Sequence, residues 1–169
     1  MITSSKHFLA TLFLFSALAV NNCTAEELPI RLQVALMSKI VAMEHNLATK
    51  QKISIFVLGA PKVFELLQQD IGFQMGNSKL VAVDQGDRPP EKQYDVIYIG
   101  AFAENKQAMA YAKRYNVMSL YPKIAGKTQI GSLGLGIKSG KPTFYLDLEQ
   151  SEAENLHWNA KIIKLAQLK

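Results

Sequence analysis

Apolar positions recur along this chain with two periods, and the period changes from segment to segment. Over residues 29–47, Ile30, Val34, Met37 and Val41 return at helical spacing, and Leu36, Ile40, Met43 and Leu47 make a second apolar row beside them. The pattern predicts one helix with a wide apolar face, and Pro29 suits its first turn. Residues 53–58, ISIFVL, are a continuous β-rich run stopped by Gly59, which reads as a buried strand. Pro61 opens a second helix to about Asp70, with Val63, Leu66 and Leu67 facing inward. Residues 79–83 read as a short strand, and Asp84-Gln85-Gly86-Asp87 with Pro89-Pro90 as a turn-rich loop. A third strand covers 95–99 and stops at Gly100. Residues 103–115 are helical, with Ala108, Ala112 and Tyr115 on one face, and 117–120 form a fourth strand.

This β-α-β-β-α-β order implies parallel pairing with helices on the faces. The last third changes style. Segments 129–137 and 143–148 read as a hairpin joined by Lys138-Ser139-Gly140-Lys141. Ser151 and Glu154 stand at capping-box spacing and predict the start of a short helix. Asn159 can cap a final helix, with Ile162, Ile163, Leu165 and Ala166 on its buried side and lysines toward its C-terminal end. The predicted fold is a three-layer α/β sandwich with a mixed, mostly parallel sheet, a C-terminal β-hairpin and a closing helix.

The first 25 residues stand apart. Lys6 precedes an apolar run over 8–20, and Cys23-Thr24-Ala25 places small residues where a signal peptidase reads them. The segment reads as a secretory signal cut between Ala25 and Glu26. The run is short for a bilayer span. Asn21-Asn22 before Cys23 is a poor match to a lipidation site, so the reading is plain cleavage to a periplasmic protein and not a lipoprotein. Cleavage leaves residues 26–169, one domain of ordinary size without cysteine, so disulfide staples and thiol chemistry are excluded from it.

Charge narrows the partners. Without Lys6, 18 basic residues face 14 acidic ones, a net charge of +4. The lysines are scattered, as on a solvated surface, which argues against a nucleic-acid site and leaves weak attraction to anionic envelope surfaces.

Candidate chemistry is sparse. Gly131, Gly134 and Gly136 are in the wrong order for a dinucleotide fingerprint; a bulge or a close backbone crossing is one reading and phosphate binding the other. Gly59-Ala60-Pro61 and Gly100-Ala101-Phe102 follow parallel strands, where α/β domains bind ligands. Gly59, Ala60, Gly100 and Ala101 are therefore candidate ligand-binding residues, with plain strand-to-helix turns as the other reading. Asp84, Asp87 and Glu91 are too few and too widely spaced for a calcium loop. His45 and His157 lack the spacing of a zinc pair, and His157 with Trp158 is expected to pack at the edge of the core. Asp147, between Leu146 and Leu148, reads as a solvated or capping carboxylate. No nucleophile stands in G-x-S-x-G. No cofactor or metal is implied, and no catalytic residue is assigned.

The layout resembles the YfiR-like family of small periplasmic proteins over roughly residues 30–168. The matching stretches are Gly131-Ser132-Leu133-Gly134-Leu135, then Phe144-Tyr145-Leu146-Asp147-Leu148, then the helix from Asn159 to Leu165 and Ala166. The strand at 53–59 and the DVIYI strand from Asp95 also fit. The chain departs from the family pattern at Ser132, where a second glycine is usual, and at Asp147, where Asn is usual. It also lacks the aromatic end of the first helix and the bridging cysteines of some members.

The resemblance implies regulation and not catalysis: an exported repressor that holds the periplasmic sensory domain of a membrane-bound diguanylate cyclase inactive, lowering cyclic-di-GMP and biofilm formation. The expected contact is an exposed apolar helix face, that of 29–47, with a homodimer as a further expectation. A periplasmic small-ligand-binding protein using the loops after Gly59 and Gly100 is the alternative.

Overall fold

The computed structural model describes residues 27–128 and 130–169. The signal segment, Cys23 and the Ala25–Glu26 cleavage site lie outside them. The elements in chain order are α1 (Ile30–Val41), α2 (His45–Ala48), β1 (Lys52–Leu58), α3 (Pro61–Gln69), β2 (Gln74–Met75), β3 (Ser78–Gly86), β4 (Val96–Ile99), α4 (Asn105–Tyr115), β5 (Met118–Pro122), β6 (Leu133–Lys138), β7 (Lys141–Leu146), α5 (Leu148–Ala153), α6 (Ala160–Leu165) and β8 (Gln167–Leu168). All eight strands join one sheet in the order β2-β3-β1-β4-β5-β6-β7-β8. β3, β1, β4, β5 and β6 run parallel. The predicted hairpin is β6–β7, antiparallel from Leu133–Leu146 to Lys138–Lys141.

Strand alternation sorts the core into two layers. Ile53, Ile55, Val57, Val96, Tyr98 and Leu120 pack under α1 and α3 with Met37, Ile40, Val63 and Leu67. Phe56, Leu58, Ile97, Ile99 and Tyr121 turn the other way and meet Ala108, Tyr111 and Ala112 of α4. The buried strands read as continuous apolar runs because both faces are covered. α4 ends on Asn116 in the left-handed conformation, a residue type that tolerates it.

Five expectations are corrected. Residues 29–47 are not one helix. α1 stops at Val41, and Glu44 takes an extended conformation, accepts the Leu47 N–H at 2.7 Å as the cap of α2, and accepts the His157 N–H at 2.8 Å with its other oxygen. A buried carboxylate with two backbone donors outweighs continued helical hydrogen bonding. The apolar face of this segment is also covered: Val34, Met37, Ile40, Val41 and Leu47 are buried beneath the fold and cannot serve as the expected docking face. α5 starts three residues before the predicted box. Asp147 is its N-cap and accepts the Gln150 N–H at 2.9 Å, while Ser151 lies inside the helix and donates to the Asp147 carbonyl at 2.6 Å. In α6 only Ile162 is buried; Ile163 and Leu165 are exposed because the helix meets the sheet along one narrow line. His157 is exposed as well, and it is Trp158 that packs against the core, with its indole N–H donating to Ser151 Oγ at 2.9 Å.

Asn159 caps α6 as the sequence predicts, accepting from the Lys161 and Ile162 N–H groups at 3.0 and 3.2 Å. Asn159→Ala is expected to cost about 1 kcal/mol. Thermal unfolding should show the midpoint falling by roughly 3 °C. An unchanged midpoint would mean that packing of Ile162 alone holds this helix.

Candidate functional site

The sheet order makes one position special. From β1 the chain crosses through α3 to β3 on one side, and from β4 it crosses through α4 to β5 on the other. The ends of β1 and β4 therefore diverge at a topological switch point, the usual ligand crevice of open α/β sheets. Gly59 and Gly100 sit at those two ends. Gly59 has φ +61°, and its N–H donates to the Gly86 carbonyl at 3.1 Å. Gly100 donates to the Leu58 carbonyl at 2.8 Å. A Cβ on Gly100 would stand 2.4 Å from the Gly59 carbonyl oxygen, so the two loops touch backbone to backbone only because Gly100 has no side chain.

Beside this contact lies a cavity of about 220 Å³. The structure brings all four candidate residues, Gly59, Ala60, Gly100 and Ala101, to its wall. Ile30, Val63, Phe102 and Pro122 add apolar surface, and Glu27 and Lys62 add opposite charges. Phe102 is 88% exposed, with the Lys127 ammonium 3.5 Å from its ring centroid.

Tyr98 lines the buried end. Its hydroxyl donates to Gln33 Oε1 at 2.6 Å, and Gln33 Nε2 donates to the Leu28 carbonyl at 2.6 Å. Both side chains are buried, so the chain of hydrogen bonds ties the floor of the cavity to the start of α1. Burial, and then the charge of Glu27, push the Tyr98 hydroxyl far above its ordinary titration range, so it stays a neutral donor. Tyr98, Gln33 and Glu27 carry no motif of their own. Only the register of β4 beside β1, pairing Tyr98 with Val57, shows where Tyr98 falls.

The glycine-rich strand makes a different site. A Cβ on Gly131 or Gly134 would meet the Tyr121 ring at 2.7 Å, and one on Gly136 would meet Lys123 and Tyr145 at 2.9–3.0 Å. These glycines leave room for the Tyr121 and Tyr145 rings against the sheet, and at Gly131 and Gly134 the close neighbour is a side chain in place of the expected backbone crossing. Burial pushes the Tyr121 hydroxyl up to about 12, with Asp147 adding to it. Ser132, in the place of a second glycine, exchanges hydrogen bonds with Ser119: its N–H donates to Ser119 Oγ at 2.8 Å and its hydroxyl donates to the Ser119 carbonyl at 2.9 Å. Glu154 lies beneath them, fully buried, accepting from Ser119 N–H and Oγ and from Gln150 Nε2. Phe144 packs half-buried against the core, and Ala166 ends α6.

Asp147 holds Lys169 at 2.8 Å. Burial alone would raise its carboxyl, but Lys169 and the Gln150 N–H outweigh burial and hold it below the usual carboxylate range. Asp84 is engaged by the Tyr94 hydroxyl and by Lys92 at 3.1 Å. Among the described residues no group of three or more His, Cys, Asp or Glu gathers in metal-binding geometry, and no helix is long and apolar enough to cross a membrane.

The family model described as YfiR/HmsC-like matches residues 40–167. The chain belongs to this family. The match starts near the end of α1 and runs into β8, so it takes in both switch-point loops, the glycine-rich strand and the Ser119–Ser132–Glu154 cluster. A comparison with curated proteins gives no match.

Proposed function

We propose that this protein is a periplasmic regulatory binding protein that represses or modulates a membrane-bound sensor, such as a diguanylate cyclase, by protein–protein contact. Its membership of the YfiR/HmsC-like family carries this reading. The secretory pattern of residues 1–25 supports export. The protein acts as a regulator and not as an enzyme, without a cofactor.

A second reading has an observation of its own. The switch-point cavity between Gly59 and Gly100 favours a periplasmic small-ligand-binding protein. The two readings join if a ligand there has unequal affinity for the sensor-bound and free forms.

The test is cross-linking in intact cells with a C-terminally tagged chain, followed by mass spectrometry. The expected product contains an inner-membrane protein with a periplasmic sensory domain and a cytoplasmic cyclase or kinase domain. Recovery of this chain alone, under conditions that capture other envelope complexes, would overturn the regulator reading and leave the ligand-binding one.

A further inference from the structure

We propose that the C-terminal edge of the sheet, made by α6, β8 and the β6–β7 hairpin, docks onto an anionic phospholipid surface. This inference stands apart from the identity of any sensor partner.

The first observation is charge. Residues 120–146 contain Lys123, Lys127, Lys138 and Lys141 and no acid, and residues 155–169 contain Lys161, Lys164 and Lys169 and no acid. The acids between them are Asp147, Glu149, Glu152 and Glu154. Glu154 is buried and Asp147 is paired with Lys169, which leaves Glu149 and Glu152 on α5. Lys138, Lys141, Lys161 and Lys164 are exposed, and among the described residues none of them has a carboxylate within ion-pair distance.

The second observation is apolar exposure on the same elements. Ile163, Leu165 and Leu168 are 40%, 53% and 52% exposed. α6 runs through Ala166 directly into β8, and Lys138 Nζ donates to Gln167 Oε1, which lays a hairpin lysine alongside that strand. Lysines and aliphatic tips thus share one continuous edge.

Lysines on an edge strand serve by themselves to block pairing with another sheet. That role does not call for exposed leucines next to them. At a bilayer surface both have a place: the aliphatic tips reach the acyl boundary while lysine stems carry their ammonium groups to the phosphates. The opposite edge makes the contrast. Ile71, Phe73 and Val81 are exposed there too, but beside Asp70 and Lys79, a mixed field with no preference for an anionic surface.

The experiment is co-sedimentation of the purified protein with vesicles of phosphatidylglycerol mixed with phosphatidylcholine, and with pure phosphatidylcholine vesicles. Binding is expected to the anionic vesicles only. It should weaken at least tenfold in 0.5 M salt and in the double variant Lys161→Gln with Lys164→Gln, checked for folding by circular dichroism. Leu165→Ser with Leu168→Ser should weaken it as well, and Lys106→Gln with Lys113→Gln on α4 should leave it nearly unchanged. Absence of binding to anionic vesicles, equal binding to neutral ones, or an equal loss from the α4 pair would each overturn the proposal. Retention on an immobilised acidic peptide without vesicle binding would do the same and assign the edge to a protein partner.

Discussion

Gly100→Ala is expected to cost about 3 kcal/mol of stability and to lower the thermal midpoint by roughly 10 °C. The added methyl would lie 2.4 Å from the Gly59 carbonyl oxygen, 2.8 Å from its carbon and 2.9 Å from the Leu58 carbonyl oxygen. All three are backbone atoms, in residues tied to neighbouring strands by the Gly59 N–H and the Leu58 carbonyl, so no side-chain rotation relieves the overlap. The ends of β1 and β4 would have to separate, and the cavity between their loops would change shape with them. Gly86→Ala is the control. Its Cβ would meet only the Phe56 ring closely, at 3.1 Å, and a ring can tilt. That variant should stay within about 1 kcal/mol of the parent. Equal effects in the two variants would show that the contact between the loops is not what makes Gly100 necessary.

Removing the buried carboxyl of Glu154 should be as severe. Glu154→Ala strips acceptors from the Ser119 hydroxyl and N–H and from Gln150 and leaves a void, at a cost of about 3 kcal/mol. Glu154→Gln keeps the shape and most of the hydrogen bonds and should cost less than half of that. The pair also makes a pH test. Burial holds the Glu154 carboxyl above the usual glutamate range, with the bonds from Ser119, Ser132 and Gln150 opposing burial without cancelling it. A carboxyl raised in the folded state contributes stability in its protonated form, below the unfolded-state value near 4.5. That contribution fades as pH rises through the folded-state value. The parent should therefore lose stability relative to Glu154→Gln as pH rises from about 4.5, measured by urea unfolding. A difference that does not change with pH, or one that grows in favour of the parent, would show that the carboxyl stays charged in the core.

Much of this architecture was legible in the chain. The runs at 53–58 and 95–99, the Pro61 start and the Lys138–Lys141 turn are local signals, in which β-branched residues, proline and glycine each select a backbone conformation. The candidate loops at Gly59 and Gly100 could be named for the same reason, since ligands gather at the ends of parallel strands. Where the reading failed, a distant partner had changed the outcome. The apolar rows of 29–47 continue across Glu44, but the His157 N–H, 113 residues later, takes one oxygen of its carboxylate and ends the helix there. Leu165 fits an amphipathic stripe, yet a two-turn helix touching the sheet along one line covers only Ile162.

The sequence by itself determined the layered α/β class, the element order, the YfiR-like resemblance and which residues could stand at a switch point. Those follow from periodicity and turn chemistry, which act over a few residues. The tertiary structure alone decided that Gly59 and Gly100 share a cavity floored by Tyr98, which Gln33 holds, that Tyr121 needs Gly131 and Gly134 bare, and that Glu154 closes on Ser119 and Ser132. Each of these depends on strand order and register, which bring together residues from 10 to 65 positions apart, and no local pattern encodes that distance.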